Sequence, residues 1–148
     1  MQTFMSEGSD FAKTAYYLDD KRLNKQGVEA YQIFRINAGF TKGFRNHPAC
    51  LMWKDHESTL FLYSQAIYQE INRRGFNTNT MSKITGVYEE CFTKTDQPYW
   101  LDDIRVIITH RGNLFRKFPE HYPKYADYTD YLNYVCCDHC NYFWPTHT

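Results

Sequence analysis

One stretch constrains this chain more than any other: residues 18–29, LDDKRLNKQGVE. Asp19 and Asp20 bring N-cap chemistry, because a short carboxylate accepts from the free backbone N–H groups of a first helical turn. From there Leu23, Gly27, Ala30, Phe34 and Ala38 recur at i, i+4, i+7, i+11 and i+15. That single apolar stripe predicts a helix from about Asp20 to about Ala38, ended at Gly39. Arg22, Lys25, Gln26 and Glu29 then share its other face across two turns. A carboxylate among cations and an amide can move a proton or steady a cationic intermediate. The same face is also what an amphipathic helix ordinarily shows to solvent.

Two further stretches have helical spacing. His56 to Arg74, opened by Asp55 or Ser58 and closed by Gly75, carries Leu60, Tyr63, Ile67 and Ile71 along one side. Leu101 to about Lys117 has Asp102 and Asp103 in its first turn and Arg116 and Lys117 in its last, the sense that complements the helix dipole. Pro119 stops it. On this third helix His110, Asn113 and Lys117 form one polar strip. The remainder reads as loop: residues 1–17 around Gly8, the connector Phe40–Asp55 broken by Gly43 and Pro48, and Phe76–Tyr99 with a short turn near Val87–Phe92. In the connector Arg45, Asn46 and His47 are a dense set of donors, suited either to capping helices or to holding a phosphate or sugar oxygen. After Pro119, tyrosines 122, 125, 128, 131 and 134 recur every third residue, followed by Tyr142, Phe143, Trp144 and Pro145. Such a tail either wraps the core or offers rings for base stacking. The expected fold is all-α: a single compact domain over residues 1–148, with three main helices, long ordered loops and an aromatic C-terminal tail.

Hydrophobic residues make up 43% of the 148, enough to bury a core and to exclude wholesale disorder. Seventeen basic and seventeen acidic side chains leave no net charge, which excludes a protein that coats nucleic acid by charge alone and leaves room for a local basic patch. The opening MQTFMSEGSD lacks a basic segment followed by an apolar run, and no apolar run approaches the ~20 residues of a membrane helix, so a cytoplasmic protein is expected. Its five cysteines are then expected as thiols. Cys136, Cys137, His139 and Cys140, with His147 nearby, make one knot of soft ligands without the second pair that structural zinc usually has, and no metal is assigned.

Taken together, MQTF at 1–4, LDDKRLNKQGVE at 18–29, FRNHP at 44–48, MW at 52–53, RRGFN at 73–77, HRGNLFRKFPEHY at 110–122 and YFWP at 142–145 resemble the pyrimidine dimer DNA glycosylase family. The likeness is closer to the bacterial and phage branch whose members begin MQTF, and its motifs run in order along nearly the whole chain. It implies a small all-helical enzyme that removes a damaged pyrimidine from double-stranded DNA and nicks the abasic site, working as a monomer in a bacterial nucleoid or a phage-infected cell. An amine attacks C1′ and forms a Schiff base, and β-elimination follows; no cofactor is required. In the family's phage members that amine is the chain's own N-terminus, and a glutamate of the first helix, aligned with Glu29, stabilises the intermediate.

On this reading the catalytic group is Glu29 with the amine of Met1, and Gln2, Arg22, Gln26 and His47 complete the pocket. Lys21, Lys25, Arg45, Asn46, His110, Arg111, Asn113, Arg116 and Lys117 are expected to grip DNA, with Tyr122 and Trp144 for stacking. Gln2 is not the small residue that favours removal of an initiator Met, which leaves Lys21 or Lys25 as alternative amines. Val28, Arg22 and Gln32 stand where the phage enzymes carry arginine, histidine and arginine, and Gly27 stands where the closer branch is expected to carry a basic residue. Positive charge near Glu29 is thus re-sited. Two other readings stay open: the same fold acting on a modified pyrimidine of phage DNA, and a non-catalytic module for distorted duplex.

Overall fold

A computed structural model describes residues 1–131 and 142–145. It is all-helical: α1 Phe11–Tyr17, α2 Asp20–Asn37, α3 Pro48–Trp53, α4 Glu57–Arg73, α5 Thr80–Cys91, α6 Ile104–Lys117, then a 3-10 helix over Pro123–Tyr131. The knot Cys136–Cys140, Tyr134 and His147 lie outside the described residues.

The three long helices are those expected from the apolar spacing, and their ends follow from particular side chains. Asp19 caps α2, its carboxylate accepting the Arg22 N–H. Asp103 does the same for α6 through the Arg105 N–H at 2.9 Å. This start is three residues later than Leu101, because Asp102 is spent on the Ser9 N–H at 2.7 Å. Neither Asp55 nor Ser58 caps α4; His56 holds that position without a side-chain bond, and Glu57 instead accepts the Asp55 N–H.

Three short elements stand where loops were expected. Helix α1 has seven residues, too few for a 3.6-residue period to declare itself, yet Asp10 caps it and Phe11, Thr14 and Ala15 are buried. Helix α3 begins at Pro48, which at the first helical position starts a helix where the sequence suggested a break. His47 caps it, Nδ1 accepting the Ala49 N–H at 3.0 Å. Helix α5 fully buries only Ile84, so its apolar stripe is faint; Phe61 of α4 stacks on its Tyr88 at 4.5 Å.

Helix α2 is central, packed on α3, α4 and α5, while α1 lies on α4 and the 3-10 helix on α6. Trp53 meets Trp100 edge to face at 5.0 Å in the middle of the core. Tyr122 is buried against the start of α2; its hydroxyl accepts the Asp19 N–H and donates to the Asp19 carboxylate. It has no face left for a DNA base, so the stacking role expected of it is corrected to a structural one. Arg74 ties three helices, reaching Glu70, Asp20 and the carbonyls of Ala15 and Tyr16.

Residues 2–6 belong to no helix and are nonetheless buried. Without a ladder or a helix, buried N–H groups must find side chains. Phe4 N–H donates to Gln26 Oε1 at 2.7 Å and Met5 N–H to His110 Nδ1 at 2.9 Å. Tyr63 donates to the Phe4 carbonyl, Trp53 to the Thr3 hydroxyl and Arg111 to the Ser6 carbonyl, each within 2.8 Å. His110 is fully buried and Arg111 is further engaged by Glu7 and Tyr128, so both hold the N-terminal segment, where a grip on DNA was expected. Asn113 is also buried, donating to the Thr109 carbonyl one turn back.

Two outcomes follow from this arrangement. A Cβ built on Gly27 would overlap the ring of Tyr68, itself buried against α2, which is why a side chain is excluded there. Gly27→Ala therefore lowers stability by about 1–2 kcal/mol, overpacking outweighing the gain in helix propensity, and a Tyr68→Leu background removes most of that loss in urea titrations. Burial holds the His110 imidazole neutral, its pKa lowered from 6.5 to about 3. The unfolded chain takes up that proton below pH 6.5 and the folded chain does not, so the contribution is complete above 6.5 and is lost as pH falls towards 3. Between pH 6.5 and 5 the unfolding free energy drops by about 2 kcal/mol, and His110→Gln, which can accept the same N–H without titrating, flattens that limb.

Candidate active site

The threading of residues 2–6 brings the start of the chain to the side of α2. By spacing Glu29 and Gln26 lie on the face that an amphipathic helix ordinarily shows to solvent, yet both are buried, at 6% and 1% exposure, because the N-terminal segment lies over them. Gln26 is consumed by that segment, accepting from both Phe4 N–H and the Tyr63 hydroxyl. Glu29 is only half consumed. One oxygen accepts the Gln2 N–H at 2.8 Å, and the other faces the Lys25 ammonium at 3.7 Å.

Around this carboxylate lies a cavity of about 330 Å³. Met1, Gln2, Phe4 and Tyr142 wall one side; Lys21, Arg22, Lys25, Gln26 and Glu29 of α2 and Lys117 at the end of α6 wall the other. Lys25, Arg22 and Lys117 reach it from two helices because the last turn of α6 abuts the first turns of α2: Arg22 donates to the Lys117 carbonyl and to Asp19. Burial first, then the charges of Arg22 and Lys25, hold the Lys117 ammonium below the ordinary lysine range, with Glu29 opposing them. A single buried carboxylate facing several cations is suited to an anionic substrate that acquires positive charge at its centre during reaction.

Met1 is half-buried, and its sulfur lies 3.7 Å from the Cys50 sulfur on α3. The side chain is thus drawn away towards Cys50, while the residue still lines the wall beside Glu29. Burial pushes the Cys50 thiol up to about 11, so it is a neutral packing group. His47 lies close enough for the N-terminal charge to act on it: burial, then that charge, lower its pKa. Its Nδ1 is committed to capping α3, and its ring stands edge-on to Trp144 at 5.9 Å.

Of the residues singled out from sequence, Met1, Gln2, Lys21, Arg22, Lys25, Gln26, Glu29 and Lys117 line the one cavity. His47 and Trp144 border the same end of the chain without lining it. Arg45 and Asn46 are exposed on the turn before α3, and Arg116 is exposed near the end of α6. Phe4 and Tyr142 are walls that sequence reasoning left out of the site. Both stand inside quoted motifs, MQTF and YFWP, but neither has a charge or a period to announce it. Among the described residues no helix is long and apolar enough to cross a membrane.

The family whose description is pyrimidine dimer DNA glycosylase matches this sequence over residues 1–84. That span covers more than half of the 148 residues and contains every wall of the cavity except Lys117 and Tyr142. No curated protein and no solved structure matches the chain. With more than half of its residues matched, the chain belongs to the pyrimidine dimer DNA glycosylase family.

Proposed function

We propose that the protein is a DNA glycosylase with abasic-site lyase activity, excising a cyclobutane pyrimidine dimer base from duplex DNA through a Schiff base at C1′. One observation carries this reading: the Glu29 carboxylate accepts the amide N–H of Gln2 inside a cation-lined cavity that Met1 also walls, so the carboxylate and the first residue of the chain share one small space. Lys21, Arg22, Lys25 and Lys117 supply positive charge for the phosphates on either side, and Arg45, Asn46 and Arg116 lie outside the cavity as further contacts.

The amine of Met1, as the neutral base, attacks C1′ with its lone pair. The glycosidic bond breaks, its electrons leave with the pyrimidine, and the amine nitrogen loses a proton. Cleavage of the C1′–O4′ bond then opens the sugar ring, its electron pair going to O4′, which takes up the proton the amine released, and leaves an iminium whose charge the Glu29 carboxylate offsets. Loss of a C2′ proton then expels the 3′ phosphate by β-elimination, and water hydrolyses the Schiff base to free the amine. In this reading Glu29 relays these protons, which is supported by a second oxygen that faces Lys25 and accepts no backbone N–H among the described residues. With the Met1 side chain turned towards Cys50, the added length of methionine is kept out of the path of the sugar.

Borohydride reduction of protein mixed with a duplex carrying one thymine dimer yields a covalent adduct that maps to the first peptide; mapping to Lys21 or Lys25 would reassign the amine, and an adduct with a modified pyrimidine but not the dimer would reassign the substrate. Glu29→Gln lowers the rate of adduct formation by about 10²–10⁴ while leaving affinity for the dimer duplex within a few-fold, as read by fluorescence anisotropy. Absence of any adduct from folded, DNA-binding protein returns the chain to the non-catalytic reading.

A further inference from the structure

Gln2 stands beside Glu29 and is held at two points. Its backbone N–H donates to Glu29 Oε2 at 2.8 Å, and its own side-chain Oε1 accepts the Thr3 N–H, also at 2.8 Å. Because Oε1 is the acceptor, the orientation of the amide is fixed and Nε2 is its other arm. That Nε2 is buried and has no hydrogen-bond partner among the described residues. The residue is 6% exposed and forms part of the wall of the Glu29 cavity. Buried donors are almost always paired, so one that is pinned and left over in a cavity wall calls for an acceptor from outside the chain.

The other polar side chains of that wall do different work. Lys21, Arg22, Lys25 and Lys117 carry charge, which suits phosphates, and Gln26 Oε1 accepts from Phe4 and Tyr63. An amide is neutral and donates without giving up its proton, so it suits a carbonyl oxygen that gains negative charge. A pyrimidine has such an oxygen beside the reacting bond. When the N1–C1′ bond breaks, its electron pair stays on N1 and spreads into the adjoining C2 carbonyl. In a cyclobutane dimer C5 and C6 are saturated, which cuts the path to O4 and leaves O2 as the one carbonyl conjugated with N1. O2 also lies on the side of the ring nearest C1′, where the amine and Glu29 act.

Given the glycosylase reading above, on which this rests, we propose that Gln2 is a catalytic residue whose Nε2 donates a hydrogen bond to O2 of the pyrimidine being cleaved. The bond strengthens as charge builds on O2, so it favours departure of the base over its ground state. No proton passes from the amide: the base leaves C1′ as an anion shared between N1 and O2, and N1 then takes a proton from water. The donor is in place beforehand, because the bonds to Glu29 and Thr3 hold the residue on either side of it.

Gln2→Glu and Gln2→Met both remove the donor and differ in what else they change. Glutamate keeps an oxygen for the Thr3 N–H but adds a charge; methionine loses that oxygen but stays neutral. Neither places a small residue after Met1, so the first residue of the chain is the same in all three proteins. Borohydride trapping is timed for each on two duplexes, one with a thymine dimer and one with an abasic site, which has no base to expel. The ratio of the dimer rate to the abasic rate corrects for any disturbance of the amine, and it falls about 10²-fold in both variants. A fall of less than about tenfold in either variant overturns the proposal, since the loss then follows the charge or the Thr3 bond. Loss of trapping on the abasic duplex by either variant also overturns it, because residue 2 would then be a prop for the amine. A wild type that traps neither duplex, or the abasic one alone, removes instead the dimer glycosylase reading, and the role of Gln2 with it.

Discussion

Four consecutive backbone N–H groups, those of Gln2, Thr3, Phe4 and Met5, are satisfied by side chains and by no other backbone. The rest of the structure depends on this. A segment without helix or ladder can be buried only if each polar group finds a partner, since an unpaired buried donor costs about 1–3 kcal/mol. The partners come from three places: Glu29 and Gln26 of α2, His110 of α6, and Gln2 itself. The helices must therefore be brought to the right spacing around the segment, and the segment in turn closes the space between them.

This coupling explains why the site is where it is. Of the four acceptors, only Glu29 carries a charge and only Glu29 keeps an oxygen that no backbone group claims. Around it the cations come from both ends of the neighbouring helix pair, with Arg22 bridging α2 and α6 through the Lys117 carbonyl. A chain with no net charge thus builds a locally positive cavity by position. Elsewhere cations are matched in pairs such as Arg74–Glu70 and Arg105–Asp103, where both charges are spent on structure.

Packing of α2 against α4 sets a second limit. The close approach at Gly27 admits no side chain under Tyr68, and the positive charge of the cavity comes from Lys21, Arg22 and Lys25 on α2 and Lys117 from α6.

The amino-acid sequence by itself determined the three long helices, because a 3.6-residue apolar period over fourteen or more residues leaves few alternatives, and it put Glu29 on the same helix face as Arg22, Lys25 and Gln26. The motif string pointed to the family for the same reason: residue types at fixed offsets survive without knowledge of contacts. Tertiary structure alone decided the rest. His110, Arg111, Asn113 and Tyr122 have the side chains of a DNA grip and are spent in the core, because the N-terminal segment and the α2 cap claim their polar atoms first. Helices α1, α3 and α5 are too short or too lightly buried for a period to show, and are held by caps and by their neighbours. Glu29 and Gln26 belong by spacing to a solvated face; that they are buried follows from a segment more than twenty residues away in the chain lying over them, a contact between distant positions that no local pattern encodes.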